Sequence, residues 1–126
     1  MFTKADFKNG EMAALIQIGE AARRCSGSYI IEAPVTKIGR KYITVSLSWG
    51  NIQFEYYEND NRFYQKSEYS PDYELYPTRA IAEEVLKRRK LVSDILKLLR
   101  NMENSPKLEK MSTEEMEKLK AILEQY

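Results

Sequence analysis

KYITVSLSWGNIQFEYY, residues 41–57, is the stretch that decides the fold. Polar and apolar residues alternate strictly along its first half, and the apolar ones share one face: Ile43, Val45, Leu47 and Trp49. A period of two is typical of a strand with one buried face, so we expect these residues in the core. Gly50-Asn51 is a hairpin signal, and the alternation resumes at 52–56. The stretch therefore predicts two antiparallel strands.

Further strands are predicted on either side of this pair. Residues 29–37, YIIEAPVTK, are rich in β-branched and aromatic side chains. Pro34 within them indicates an edge strand or a bulge, and Gly39 a turn. A short strand is also expected at 62–65. Short strands joined by tight turns predict a small antiparallel β-barrel of the SH3-like kind, or a strongly bent sheet.

The segment 12–24 is ambiguous between helix and strand. Helix propensity favours a helix over its first part, EMAALIQI at 11–18. A barrel, however, needs a first strand for closure, and residues 15–19 would supply one. We prefer the strand.

The pattern after residue 76 is helical. Apolar residues recur at spacings of three and four through 77–103, which predicts an amphipathic helix capped by Thr78 or begun at Pro77. A second helix is expected within 111–126, because Ser112 and Glu115 form a capping box. We predict one α+β domain, a barrel at 10–76 followed by a two-helix hairpin.

Composition argues against catalysis. The chain has no histidine and one cysteine, which excludes Ser–His–Asp and Cys–His sites and the usual tetrahedral zinc sites. It also has no glycine-rich phosphate loop. Two carboxylate pairs remain, Glu55 with Glu58 and Asp72 with Glu74, and we interpret them as solvated surface charges. We therefore predict a non-enzymatic protein with no cofactor and no metal.

Tyrosine is the most prominent candidate for a contact surface. The chain has nine tyrosines, and a series of six is the predicted protein-binding surface: Tyr56, Tyr57, Tyr64, Tyr69, Tyr73 and Tyr76. Tyrosine offers a large ring with few rotatable bonds and is enriched at interfaces. The alternative is that half of the series lines the barrel core and its seam with the helix, and we expect a mixture of the two. Acidic residues alternate with the series, which suits a basic protein surface better than a nucleic-acid backbone.

Basic residues supply the alternative. The candidate anion or nucleic-acid contacts are Arg23, Arg24, Arg40, Lys41, Lys87, Arg88, Arg89 and Lys90. With 20 basic and 19 acidic residues, net charge itself gives no warrant for nucleic-acid or membrane binding. A nucleic-acid-binding barrel, or a barrel pocket that sequesters a nucleotide through Arg40, are the alternative functions.

Location follows from what the sequence lacks. One cysteine allows no intrachain disulfide, which fits a reducing cytosol. No apolar run approaches the ~20 residues of a membrane helix, and the first residues do not resemble a signal peptide. We expect a cytoplasmic protein without a membrane partner. It is a monomer, or a homodimer through the C-terminal helices.

Two stretches carry a family resemblance. VTKIGRKYITV at 35–45 and YSPDYELY at 69–76, with the trailing amphipathic helix, resemble small β-barrel-domain proteins of phages and mobile elements of Gram-positive bacteria. The resemblance covers roughly residues 10–99. It implies a phage or prophage origin and action inside a bacterial host cell, with no assigned activity.

The functional prediction combines these observations. We expect a phage-type accessory protein that docks on a host protein or ribonucleoprotein complex and blocks it. By analogy with other small phage proteins, it is an inhibitor of host defence of the anti-CRISPR kind.

Overall fold

Six antiparallel strands form a closed barrel in sequence order. They are β1 (Met12–Gln17), β2 (Ile30–Ile38), β3 (Tyr42–Leu47), β4 (Gly50–Tyr57), β5 (Arg62–Gln65) and β6 (Tyr73–Tyr76). The computed structural model describes residues 2–25, 27–103 and 106–126. The ring closes because β1 pairs with β2 on one side and with β6 on the other. The predicted small antiparallel barrel is confirmed.

Three α-helices and one 3₁₀ turn complete the chain. They are the 3₁₀ turn Lys4–Asp6, α1 (Gly19–Arg24), α2 (Arg79–Met102) and α3 (Thr113–Glu124). The two helices after the barrel confirm the predicted α+β class. The chain divides into two compact units, Met1–Leu86 and Lys87–Tyr126, and the division falls within α2.

β1 resolves the ambiguous segment. Residues 12–17 form the expected strand, whereas 19–24 form the short helix α1. Ala14, Leu15 and Ile16 are at most 1% exposed, although they point alternately to the two faces of the sheet. A strand buried on both faces shows a continuous apolar run, which resembles a buried helix in sequence.

The barrel interior is the first of two apolar cores. Its fully enclosed side chains include Leu15, Val35, Ile43, Val45, Phe54 and Leu75. Phe7, which follows the 3₁₀ turn, adds its ring to this core and lies 5.2 Å from the Phe63 ring. The predicted core positions Ile43 and Val45 of β3 are confirmed, and Leu47 is partly buried against the same core. Phe54 of β4 is also fully buried there.

The second core lies on the outer face of β1, β2 and β6. It consists of Ala14, Ile16, Ile30, Tyr76 and Ala82, with Ile81, Val85 and Leu86 of α2 packed against it. Thr78 begins α2, because its hydroxyl accepts a hydrogen bond from the Ile81 N–H at 3.2 Å. The first turns of the predicted amphipathic helix therefore cover the face of β1 that the barrel interior does not.

Glu74 corrects one sequence interpretation. We expected Glu74 to be a solvated surface charge, but it is only 3% exposed. The Tyr76 hydroxyl donates a 2.7 Å hydrogen bond to the Glu74 carboxylate. Partial burial alone would lower the pKa of Arg62, but Tyr64, Tyr76 and Glu74 together outweigh burial and raise it. The Tyr76 hydroxyl and the positive charge of Arg62 offset the cost of burying the Glu74 carboxylate.

The position of Trp49 corrects a second interpretation from the sequence. Its alternation with Leu47 predicted a core position, but Trp49 is 64% exposed. Leu47 pairs directly with Gly50, so Ser48 and Trp49 form the two-residue hairpin loop. The turn precedes Gly50-Asn51 rather than falling on it, and the alternation therefore ends at Leu47.

Pro34 and Gly19 each occupy a position where the backbone geometry suits that residue type. The register between β2 and β3 shifts between Val35 and Lys37, next to Pro34, which confirms the bulge alternative for that proline. Gly19 opens α1 with a φ of +56°, and a Cβ there would lie 3.1 Å from the Pro71 carbonyl oxygen. Glycine is required at this position for both reasons.

In the second unit, apolar side chains of both helices are exposed. On α2 they are Leu91, Val92, Ile95, Leu96 and Leu98; on α3 they are Met116, Ile122 and Leu123. Each is about 40–60% exposed. The helices are present as predicted, but these side chains do not bury one another as a tightly packed hairpin would.

The predicted capping box of α3 is confirmed and gives a pH prediction. The Ser112 N–H donates to the Glu115 carboxylate at 3.0 Å, and the Glu115 N–H donates to the Ser112 hydroxyl at 3.1 Å. The backbone hydrogen bond from Ser112, followed by its side-chain hydrogen bond, lowers the pKa of Glu115 below the ordinary value of 4.5. The cap is therefore fully effective above that ordinary value and is lost as pH falls through the lowered one.

We expect the first turn of α3 to lose helix on acidification, measured by ¹³Cα shifts between about pH 6 and pH 3. Glu115→Gln keeps an acceptor oxygen and should remove this pH response. Glu114→Gln, which makes the same charge change one residue earlier, should leave it intact. An unchanged response in Glu115→Gln would contradict the assignment.

Candidate functional site

The six tyrosines of the predicted contact surface lie in five different environments. Tyr73 points into the barrel and is 9% exposed, and Tyr76 lies beneath α2 and is 1% exposed. These two are core residues and do not belong to a contact surface, because their rings are not accessible. Tyr56 lies at one end of the barrel, and the remaining three are Tyr57, Tyr64 and Tyr69.

Tyr57 and Tyr64 form a pair on the outer face of β4 and β5. Tyr57 pairs in register with Arg62, and Tyr64 with Glu55, so the two tyrosines are diagonal neighbours across the strands. Their ring centroids lie 5.3 Å apart with planes tilted by 52°. Together with Asp60 and Pro71 they line a shallow open cavity of about 360 Å³. We name these four residues the tyrosine groove.

The groove lies in an acidic part of the chain. Residues 55–76 contain six acidic and two basic residues. Of the two basic residues, Arg62 is turned towards Tyr64 and Glu74, which raise its pKa. Lys66 lies over the Tyr42 ring at 4.9 Å. Tyr69 lies in the loop before β6 and is 86% exposed.

Tyr56 belongs to a different site. Its ring packs on Phe63 at 5.1 Å, and both line a cavity of about 330 Å³ with Arg40 and Lys41. Phe2, Thr3 and Lys4 of the N-terminal segment complete the lining. We name these seven residues the barrel-end pocket. Two of the predicted anion contacts are thus brought together with a tyrosine that we had assigned to protein binding.

Sequence reasoning missed the contribution of Phe2 and Lys4. Neither residue belongs to a periodic segment, and their neighbours in the pocket are some 35 to 60 positions away in sequence. One local signal existed: Thr3 and Asp6 form a capping box around the 3₁₀ turn, with the Thr3 N–H donating to Asp6 at 2.6 Å. The capping box orders the segment that carries Phe2 and Lys4.

Arg23 and Arg24 lie away from Arg40 and Lys41. They follow Gly19 on α1, beside the barrel end where β1 stops, whereas Arg40 and Lys41 lie in the β2–β3 turn at the other end. Both pair with Glu20, at 2.9 Å for Arg23 and 3.8 Å for Arg24. The four basic residues do not form one site.

The run Lys87–Lys90 lies in the second unit, on α2. Arg89 is half-buried, and the other three members are exposed. The Lys90 ammonium pairs with Asp94 at 3.2 Å. Four consecutive helical positions point in four directions, so the run does not present a single face.

Trp49 is an exposed aromatic that the sequence analysis placed in the core. Its ring lies 6.5 Å from the Tyr73 ring, at the same end of the barrel as Arg24. Burial, followed by the charge of Asp72, raises the pKa of Tyr73, and Arg24 opposes the increase. Leu47 pairs with Gly50, and only Ser48 and Trp49 lie between them, so Trp49 belongs to the hairpin loop.

The described residues form neither a metal-ion cluster nor a membrane-spanning helix. In the described part of the chain, no three His, Cys, Asp or Glu side chains gather as a metal ion would require. Within residues 2–25, 27–103 and 106–126, no helix has both the length and the hydropathy of a membrane span.

Comparison with known proteins gives a family. No curated protein and no solved structure matches the chain significantly. The family model described as the phage ProQ C-terminal-like domain matches residues 1–126. A family model of phage proteins and a six-stranded barrel agree with the phage-type resemblance of residues 35–45 and 69–76. The chain therefore belongs to the phage ProQ C-terminal-like domain family, as a phage-type small barrel protein.

Proposed function

We propose that this phage accessory protein binds a basic surface of a host protein or ribonucleoprotein through the tyrosine groove, and inhibits a host defence by blocking that surface. The observation that carries the proposal is the exposed Tyr57–Tyr64 pair, 5.3 Å between ring centroids, in an acidic surrounding. The protein acts by occupying the surface and performs no catalysis. The lack of histidine in the chain supports this part of the proposal.

The groove has the properties of an interface anchor. Tyrosine rings contribute large contact areas with few torsions to immobilise, and tyrosine is enriched among residues that dominate binding energy. Both rings stand on adjacent strands of a closed barrel, so binding need not order a loop to create the surface. Pro71 at the edge adds a rigid apolar contact.

Charge supports a basic partner. Asp60 lines the groove, and Glu58 precedes it in the same turn between β4 and β5. Complementary charge accelerates encounter and disfavours partners of the same sign. An anionic nucleic-acid backbone would be repelled here, whereas a Lys- or Arg-rich protein surface would be attracted.

The host remains a prediction. The family resemblance implies Gram-positive bacteria and action in the host cytoplasm, and the family description names neither. Inhibition of a defence complex follows from analogy with other small phage proteins, and the experiment below tests it through the identity of the partner.

The proposal is tested with tyrosine variants. We expect Tyr57→Ala and Tyr64→Ala each to weaken binding to a partner captured from host lysate by about 2 kcal/mol or more, roughly 30-fold. Tyr29→Ala is the matched control, because Tyr29 is 48% exposed and lies outside the groove, beside Gln17. Calorimetry with the purified partner gives the affinities, and a defence assay in the host gives the inhibition.

Three results would defeat the proposal. Either groove variant could bind as tightly as the control variant, the partner's contact surface could be acidic, or inhibition could persist after binding is lost. Loss of affinity in all three variants would also count against a local groove, because it would indicate a general effect on the fold.

A further inference from the structure

The barrel-end pocket combines an aromatic floor with a basic rim. Phe2, Tyr56 and Phe63 supply the rings, and Lys4, Arg40 and Lys41 supply the positive charges around a cavity of about 330 Å³. The volume lies at the lower end of the range for small-molecule sites. The pocket shares no residue with the tyrosine groove, so it requires a separate explanation.

The floor is held in place by contacts on every side. The Phe63 ring lies between Phe2, at 6.0 Å and nearly parallel, and Tyr56, at 5.1 Å. Phe63 itself is only 3% exposed, so the barrel core fixes it. The Phe2 ring also contacts the Tyr76 ring edge-on, with centroids 5.4 Å apart. The Tyr56 hydroxyl donates a 2.6 Å hydrogen bond to the side-chain oxygen of Asn61. The aromatic surface is therefore preformed.

The rim joins two segments that are distant in sequence. The Lys4 ammonium donates a 2.8 Å hydrogen bond to the Arg40 carbonyl oxygen, which fastens the N-terminal segment to the β2–β3 turn. An ammonium has three donors, so Lys4 keeps two for a ligand. In the described part of the chain, no carboxylate lies within ion-pair distance of the Arg40 guanidinium or the Lys4 ammonium.

Lys41 is partly neutralised. Its ammonium lies 3.7 Å from the Glu55 carboxylate and 5.3 Å from the centre of the Tyr42 ring. A hydrogen bond with Tyr42, followed by the charges of Tyr42 and Glu55, raises the pKa of Lys41, so the ammonium stays charged at neutral pH. Glu55 neutralises part of the charge of Lys41, and the rim retains the positive charges of Lys4 and Arg40.

We infer that the barrel-end pocket binds a nucleotide, with the base against the rings of Phe2 and Tyr56, which the buried Phe63 supports, and the phosphate at Arg40 and Lys4. Every nucleobase has a π face that stacks on aromatic side chains. A guanidinium matches the geometry of two phosphate oxygens. A purely apolar ligand leaves the rim unused, and an inorganic anion leaves the floor unused, whereas a nucleotide uses both.

The nucleotide has two sources, a free mononucleotide or one unit of a single strand. The cavity is large enough for the first, and Arg40 and Lys41 in its lining supply basic contacts for the phosphates of the second. The two sources share the chemistry of stacking plus phosphate contact, and the probes below separate them.

The experiment measures binding of AMP and UMP by calorimetry and by ¹H–¹⁵N shifts, with adenosine and inorganic phosphate as partial ligands and single strands of about eight nucleotides as the second source. We expect AMP to bind at least about tenfold more tightly than adenosine or phosphate alone, because only AMP engages both floor and rim. The shifts should centre on Tyr56, Phe63 and Arg40. A strand that binds more tightly than AMP identifies the strand as the ligand, and the reverse identifies the mononucleotide.

Variants localise the site. Tyr56→Ala and Arg40→Gln should each weaken nucleotide binding by about tenfold or more. Tyr57→Ala is the control for Tyr56→Ala, because both residues are exposed and adjacent in β4. Arg23→Gln is the control for Arg40→Gln, because it makes the same charge change at the other end of the barrel. Both controls should bind nucleotide within about twofold of the original chain.

The inference is overturned if neither AMP, UMP nor any strand binds at about 1 mM, if phosphate binds as tightly as AMP, or if the control variants lose as much affinity as Tyr56→Ala and Arg40→Gln. None of these results affects the tyrosine groove. Loss of partner binding in Tyr57→Ala, conversely, leaves nucleotide binding untouched, so the two proposals fail separately.

Discussion

Replacement of Phe54 by alanine is expected to lower the free energy of unfolding of the barrel by about 3–5 kcal/mol. Phe54 is 0% exposed and lies in β4, opposite Ile43 on one side and Gln65 on the other. Its ring belongs to the inner core of a closed barrel, and the hydrogen-bonded wall limits collapse into the cavity that its removal leaves. The loss is a large share of the total stability of about 5–15 kcal/mol for a domain.

Urea unfolding monitored by circular dichroism measures the effect. Tyr57→Ala, on the exposed face of the same strand, is the control and should change stability by less than about 1 kcal/mol. If Phe54→Ala does not fold, Phe54→Leu replaces it as the test variant. It removes less volume and should lower the free energy of unfolding by roughly half as much. Near-equal stability of Phe54→Ala and the unsubstituted chain would contradict the barrel core described here.

Tyr76→Ala is expected to cost a similar amount, about 3–5 kcal/mol, for two distinguishable reasons. The ring is 1% exposed, contacts Phe2 edge-on and packs in the outer core beneath α2. Its hydroxyl donates to the buried carboxylate of Glu74. Removal of the hydroxyl alone, in Tyr76→Phe, should cost about 1.5–3 kcal/mol, because the acceptor is charged and cannot recover the bond from water.

A second Tyr→Phe change provides the comparison. The Tyr56 hydroxyl also makes a short hydrogen bond, 2.6 Å to Asn61, but at an exposed site with a neutral acceptor. Water can replace that donor, so Tyr56→Phe should cost less than about 1 kcal/mol. Equal costs for the two changes would show that burial and charge at Glu74 do not strengthen the Tyr76 bond.

The sequence predicted most of the barrel, because its strands carry their own periodicity. The alternation in 41–57 identified β3, β4 and the core residues Ile43 and Val45. β1 was harder, since burial on both faces removes alternation and leaves an apolar run that fits a helix equally well. Only the need to close the barrel favoured the strand at Met12–Gln17.

The candidate sites were predicted less well. Alternation reports which face of a strand a residue occupies, but it does not report what covers that face. Tyr76 was assigned to a surface because the covering helix α2 cannot be inferred from the strand itself. Trp49 was assigned to the core because the hairpin turn begins before Gly50. The barrel-end pocket depends on Phe2 and Lys4, which lie outside every periodic segment.

The closure of the barrel has an evolutionary consequence. Since β1 pairs with both β2 and β6, neither the first nor the last strand is an open edge of the sheet. An open edge is the usual main-chain route by which an added peptide strand is recognised. Closure therefore leaves more of the recognition to side chains, which single substitutions can exchange. Exposed residues on the outer face can therefore diverge one at a time among relatives of this phage protein, while the hydrogen-bonded wall stays the same.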